Sequence, residues 1–293
     1  SSGQLLVRTT VKNDSTYEGA ETFQLKVDAT GGTIVYGTAT ILDDGTGNIY
    51  PDNTTGNVQA NPVLDDDRAI AVTAYGPINE ASQYAMFTVT AIEGYKLDLQ
   101  LQAATSGTAA TRGGFTFEYS TDGSNWTTYT WNGSTGDQPT VPASGKVYVR
   151  VNITSESDNA YEGAETFSLV ALYSAQTSIT DSASTSIIDD GTGNNYDSTI
   201  TGGNPVSNTT GLNDDRALAV NSITVNEGGG YAVFTVTANA GQTMNLALSN
   251  GSVNPTATSG TDYTNALEYW DATANAGNGA WVNYTAGFTV PGT

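Results

Sequence analysis

Residues 161–172 read Tyr-Glu-Gly-Ala-Glu-Thr-Phe-Ser-Leu-Val-Ala-Leu. A second run, Ser184 to Ile188, leads into Asp189-Asp190-Gly191-Thr192-Gly193-Asn194. From Thr166 onward, Phe167, Leu169 and Ala171 fall on every second position. That period of two marks a strand with one buried face. The acidic approach and the Asp-Asp-Gly exit are turn chemistry, in which Gly supplies positive φ and Asp closes local hydrogen bonds. The two runs therefore read as successive strands bounded by acidic loops.

Both stretches occur twice. Tyr17-Glu18-Gly19-Ala20-Glu21-Thr22-Phe23 matches Tyr161 to Phe167, and Asp43-Asp44-Gly45-Thr46-Gly47-Asn48 matches Asp189 to Asn194. Asp66-Asp67-Arg68-Ala69 returns at Asp214 to Ala217, and Phe87-Thr88-Val89-Thr90-Ala91 at Phe234 to Ala238. The offsets cluster near 146 residues, which makes this a tandem repeat. Further alternating runs are Phe115 to Tyr119, Lys146 to Ile153, Ala217 to Val220, Tyr231 to Ala238 and Met244 to Leu248. Val, Ile, Thr, Tyr and Phe dominate them, as strands prefer. No helical periodicity persists for three turns. Several short strands per repeat predict an all-β chain with one sandwich per module.

The expected organisation is the C-terminal part of a module at 1–48, a joint at 49–64, and a complete module at 65–190. A second joint follows at 191–212, then the N-terminal part of the next module at 213–293. The Gly- and Asn-rich joints read either as flexible linkers or, from their similar wording in both copies, as defined connections. The opening Gly3-Gln4-Leu5-Leu6-Val7-Arg8 resembles Gly145-Lys146-Val147-Tyr148-Val149-Arg150, the continuation of Val141-Pro142. The closing Val290-Pro291 resembles Val141-Pro142 itself. The expectation is further copies on both sides and a regular homo-assembly of neighbouring repeats.

Composition removes several function classes. The chain has 293 residues, with 30 acidic against 9 basic, a net charge of −21, and no Cys or His. Disulfides, thiolate nucleophiles, His general bases and Cys/His zinc sites are therefore impossible. The negative field repels nucleic acid and anionic membranes. No run approaches the roughly 18 apolar residues of a membrane helix, so membrane insertion is not expected.

The acids are concentrated at strand ends. One group is Glu80, repeated as Glu227, and another is Asp262. A third is Asp14, Glu18 and Glu21, repeated as Asp158, Glu162 and Glu165. The last is Asp43-Asp44, repeated as Asp189-Asp190. Hard oxygen ligands converging from several loops suit Ca²⁺, which takes six to eight of them in loose geometry. The competing reading is that the Glu-Gly-x-Glu motif is a structural corner whose carboxylates cap backbone N–H groups.

These residues carry a resemblance. Asp-x-x-Tyr-Glu-Gly-Ala-Glu-Thr-Phe, a strand, then Ile-Leu-Asp-Asp-Gly is similar to the second half of a Calx-β repeat. Val225-Asn226-Glu227-Gly228 with Tyr231 to Thr237 and Thr258-Ser259-Gly260-Thr261-Asp262-Tyr263 is similar to its first half. The resemblance implies immunoglobulin-like sandwiches, and Ca²⁺ at Glu227, Asp262, Glu162, Glu165, Asp189, Asp190 and their equivalents. It also implies the setting of giant bacterial extracellular proteins, including adhesins. One departure stands out: Thr105 to Thr108 aligns with Thr258 to Thr261, so Ala109 stands where Asp262 does. The complete module therefore lacks one ligand of the implied set.

Glu118-Tyr119 with Trp126 and Tyr129 matches Glu268-Tyr269 with Trp281 and Tyr284, while Trp131 and Trp270 have no twin. Such aromatics either plug a sandwich or stack on surface glycans. Arg68 and Arg216, each after paired acids, are read as an exposed intermodule ion pair. Sequons stand at Asn53, Asn132, Asn152, Asn208 and Asn283. No catalytic set emerges, and carboxylates in repeated copies argue against one-site glycoside hydrolysis. The expected role is structural: an adhesin stalk, fibre, sheath or surface layer, with a module that binds carbohydrate or another surface ligand as the alternative.

Overall fold

The computed structural model describes residues 3–103, 115–130, 138–174, 176–202, 212–249 and 256–291. Ala109, Trp131, Asn132 and Asn208 lie outside them. The first strands, β1 (Glu21–Asp28) and β2 (Ile34–Ile41), form an antiparallel hairpin with Glu21 opposite Ile41. Next come β3 (Ile70–Tyr75), β4 (Ile78–Asn79), β5 (Tyr84–Ala91), β6 (Leu97–Ala103), β7 (Phe117–Ser120), β8 (Thr127–Thr128), β9 (Lys146–Asn152), β10 (Glu165–Tyr173) and β11 (Gln176–Ile188). The last part holds β12 (Ala219–Val220), β13 (Val236–Thr237), β14 (Thr243–Met244), β15 (Glu268–Asp271), β16 (Ala280–Asn283) and β17 (Phe288–Thr289).

Strands β3 to β11 build a two-sheet sandwich. One sheet runs β4-β11-β10-β6 and the other β3-β5-β9-β7-β8; only β4 and β11 are parallel. The sequence alternation is visible as burial. Along β10, Phe167, Leu169 and Ala171 are buried, and Thr166, Ser168 and Val170 are only partly covered. They meet Phe87, Val89, Val147, Val149 and Val151 from the other sheet, with the Phe87 and Phe167 rings 5.8 Å apart. Burying each such large side chain contributes about 1.5–3 kcal/mol. The stretch after β11, read as a joint, adds Tyr196 and Ile200 to this core.

The period of two has one further consequence. Glu165 shares the inward face of β10 with Phe167 and is itself buried. It carries a carboxylate to the end of the core, where the acidic loops converge.

Arg68 differs from the exposed pair expected of it. Its guanidinium grips Asp66 through Nε and Nη2, at 2.8 and 2.6 Å, with side-chain exposures of 1% and 7%. It lies 4.4 Å from the centres of both the Tyr95 and Tyr173 rings. A planar, weakly hydrated cation suits this slot, because Arg stacks on aromatic faces while making bidentate bonds. The pair is thus buried and local to the motif. Contact across the joint is made by Tyr95, whose hydroxyl meets Asp44 and Tyr17 at 3.2 and 2.9 Å.

A candidate cation centre at the module joint

Glu80 follows β4 directly, and its N–H donates to the Ile188 carbonyl at the end of β11. Its side chain is 3% exposed. Oε1 accepts the Asp158 N–H at 2.7 Å. Asp189, immediately after β11, accepts the Glu162 N–H through Oδ2 at 2.7 Å. These bonds are the corner-capping role anticipated for the carboxylates. They occupy only one oxygen of each group. Glu80 Oε2 and Asp189 Oδ1 are buried without a hydrogen-bond partner.

A third carboxylate comes from beyond the β3–β11 sandwich, on the approach to β12. Carboxylate oxygens of Glu80, Asp158 and Asp215 lie within 4.8 Å of one another. Asp215 is fixed by its own N–H to the Asp189 carbonyl at 3.0 Å and by the Asn213 amide on its carboxylate at 2.8 Å. Asn79 locks the arrangement: its amide donates to the Thr192 and Asn213 carbonyls, and its side-chain oxygen accepts the N–H groups of Ala81 and Asn213. The glycines of the Asp-Asp-Gly-Thr-Gly turn are needed for this closeness. A Cβ at Gly193, where φ is +97°, would lie 2.7 Å from the Asn79 nitrogen. Among the described residues, both ends of this joint are tied to the sandwich by hydrogen bonds.

The electrostatics are those of crowded carboxylates withdrawn from water. Burial is the main force pushing the Glu80 carboxyl up to about 7, and the charges of Asp215, Asp189 and Asp158 add to it. Asp215 is raised by desolvation and by Asp189, Asp158 and Asp214. Beside the triad, Glu80, Glu156, Glu162, Glu165 and Asp189 line a cavity of about 10 Å³, the size of one small occupant.

Other expected site residues are placed elsewhere. Asp190 closes its own turn by accepting from the Thr192 N–H and hydroxyl, and Asp44 does the same with Thr46. Asp262 accepts the Thr258 N–H in an exposed loop, and Glu227 is exposed. In the first copy, Asp43 accepts the Glu18 N–H at 2.7 Å, as Asp189 does for Glu162. There Glu18 is raised by Glu21, then Asp14, desolvation, Asp43 and Asp67. Asp14, Glu18, Glu21 and Asp43 thus form the same corner as their repeats, without a Glu80 equivalent beside them among the described residues.

The aromatic constellation is structural where the module is complete. Tyr129 is buried, stacks on Phe117 with centroids 4.9 Å apart, and accepts the Leu99 N–H. Tyr284 accepts the Leu246 N–H in the same way. Trp126 lies under the Arg150 guanidinium, 4.4 Å from the ring centre. Trp270 and Trp281 face each other across β15 and β16 with their centroids 5.8 Å apart.

Among the described residues, no helix is long and apolar enough to cross a membrane. No curated protein matches the chain. The Calx-beta domain family model matches residues 3–45, 143–191 and 216–269. These matches fall on the acidic corner with its two following strands, twice, and on the first half of the next sandwich. Over these three segments the chain belongs to the Calx-beta domain family, whose members are non-catalytic β-sandwich modules.

Proposed function

We propose that this chain is a structural array of extracellular sandwich modules, a stalk or filament at a bacterial cell surface, whose joints are set by Ca²⁺. The observation that carries the cation reading is the pair of buried, unpartnered carboxylate oxygens, Glu80 Oε2 and Asp189 Oδ1, beside the Glu80–Asp158–Asp215 triad. An ionised carboxylate out of water is costly without a counter-charge. The donor set is all hard oxygen, which fits Ca²⁺ and not a soft metal.

Glu80, Asp158, Asp189 and Asp215 would hold the ion, with Glu162 and Glu165 alongside. Bound Ca²⁺ would supply positive charge that cancels their repulsion. Because Asp215 begins the next module, the same neutralisation removes freedom at the joint. Stability then rises with ligand concentration by mass action.

Thermal unfolding and small-angle scattering, in millimolar Ca²⁺ and in chelator, test this reading. A higher melting temperature together with a longer, stiffer particle in Ca²⁺ is expected. Identical curves in both conditions would reduce the acids to corner caps and solubilising charge.

A further inference from the structure

The central sandwich carries a second polar constellation, built without the acids of the joint. In the sheet β3-β5-β9-β7-β8, Phe87, Val147, Val149 and Val151 belong to the core, so the residues between them point to the outer face. Arg150 stands opposite Glu118, Glu118 opposite Thr128, and Asn152 opposite Tyr84. Residues directly opposite share a face, and Arg150 and Asn152 are two apart on β9. All five therefore gather on the outer face of one sheet. With Thr116 they line a cavity of about 110 Å³. One water needs only about 10–15 Å³, so there is room for a small molecule.

Arg150 is the centre of this face. It is 8% exposed. Its Nε donates to Glu118 Oε2 at 2.6 Å, and its guanidinium lies 4.4 Å from the ring centres of both Tyr84 and Trp126. Among the described residues, Arg150 Nη1 is buried without a hydrogen-bond partner, and so is Trp126 Nε1. Leaving a buried donor unmade costs more than an ordinary hydrogen bond returns. A buried charge pair kept only for stability gains little over apolar side chains of the same shape. Here the pair instead holds a rigid, planar donor group in a cavity wall with one arm unused.

The wall is mixed in chemistry. Arg150 offers a donor. Glu118 spends Oε2 on Arg150, and Oε1 remains to accept. The Thr116 and Thr128 hydroxyls can do either. Asn152 Oδ1 accepts the Thr154 N–H and hydroxyl at 3.0 and 2.7 Å, so its amide nitrogen is the part that can donate outward. An anion at Arg150 would meet Glu118 beside it and a net charge of −21 around it. A cation at Glu118 would meet the guanidinium. A neutral molecule whose polar groups each donate and accept satisfies the whole wall, while its carbon frame meets the Tyr84 ring. A polyhydroxyl ring has that chemistry.

We propose that this outer-face cavity binds one neutral sugar ring. Arg150 Nη1 and the Asn152 amide donate to its hydroxyl oxygens, and Glu118 Oε1 accepts from a hydroxyl. Tyr84 and Trp126 fix the plane of the guanidinium, which keeps the aromatic constellation structural while its arginine does the binding. The site adds ligand recognition to the mechanical role and stands apart from the cation reading, since it uses no carboxylate of the joint.

The test is an NMR titration of the full 293-residue chain, isotope-labelled. The probes are neutral pentoses, hexoses and N-acetylhexosamines, with glucuronate and inorganic phosphate as anionic counterparts. At least one neutral sugar should shift the amides of Glu118, Thr128, Arg150 and Asn152 saturably, in the millimolar range expected of so small a ligand. It should bind roughly tenfold tighter than either anion. Thr128→Val and Glu118→Gln should each weaken it about fivefold, the worth of one ordinary hydrogen bond. Thr127→Val, opposite Tyr119 and so on the other face, should leave it unchanged. Thr128 and Thr127 are both exposed, so their variants keep the comparison valid even if Glu118→Gln fails to fold. No saturable shift from any neutral sugar, tighter binding of an anion, or equal weakening by Thr127→Val and Thr128→Val would each overturn the proposal. All of these results leave the Ca²⁺ dependence of melting, which tests the cation reading alone, untouched.

Discussion

Glu80→Gln separates the two roles of a buried carboxylate, because it should move stability in opposite directions with and without Ca²⁺. Glutamine keeps the shape and can still accept the Asp158 N–H, but it carries no charge. In the cation-free protein, the Glu80 carboxyl is pushed to about 7, chiefly by burial. The folded state therefore holds a proton more tightly than the unfolded chain. Its stability falls as pH rises from the ordinary carboxylate range through about 7, and stays reduced above that. The gap between the two values corresponds to about 3 kcal/mol at pH 8. Asp158 is exposed and Asp215 only half-buried, so solvent screening lowers the realistic gain to roughly 1–2 kcal/mol. In chelator at pH 8, Glu80→Gln should then melt about 5 °C above the parent. It should also lose the parent's decline between pH 5 and 8. In Ca²⁺ the order should reverse, because the substitution removes a ligand. Binding to the parent should release a proton near neutral pH and weaken below about pH 6. Differential scanning calorimetry across pH provides the assay. A Gln variant less stable than the parent in chelator would refute the claim that Glu80 is held against its own charge.

Three further outcomes are expected. Asp215→Ala should diminish the Ca²⁺-induced rise in melting temperature and leave the particle flexible by small-angle scattering, while the chelator-state melting temperature changes by less than a few degrees. Arg68→Met should destabilise by roughly 3–5 kcal/mol in urea unfolding, since it strands the buried Asp66 carboxylate and empties the slot between Tyr95 and Tyr173; a loss below about 1 kcal/mol would show the pair to be idle. Phe167→Ala should cost about 3–5 kcal/mol, whereas the matching Phe23→Ala should cost under about 1 kcal/mol because Phe23 packs little. Equal losses would mean that Phe23 is packed as tightly as Phe167.

Legibility followed the physics of each signal. A buried face imposes a period of two, so β5, β9 and β10 were readable from Phe87, Val147, Val149, Phe167 and Leu169. Repetition exposed the acids because both copies carry them. It was blind to Glu156, whose place in the first copy is taken by Lys12 or a neighbour, and which the structure sets in the cavity wall. Asp215 was hidden differently. Asp-Asp-Arg suggested that both acids serve the arginine, but neighbours in an extended chain face opposite ways. Asp214 takes Arg216 at 2.7 Å, and Asp215 turns to Glu80 and Asp158. Asn79 and Asn213 gave no signal at all, since an amide that satisfies backbone groups looks like any loop asparagine.

The least legible feature is that identical motifs end in different environments. Phe23 and Phe167 sit in the same seven-residue sequence, yet one is 40% exposed and the other 1%. What differs is the presence of the first half of a sandwich to receive them. The same logic extends to the acids. Glu80 meets Asp158 from its own module and Asp215 from the next, and the corresponding residues are Glu227, Asp14 and Asp67. Within one chain Glu227 stands apart in an exposed loop, while Asp14 helps raise Asp67 at the opposite end.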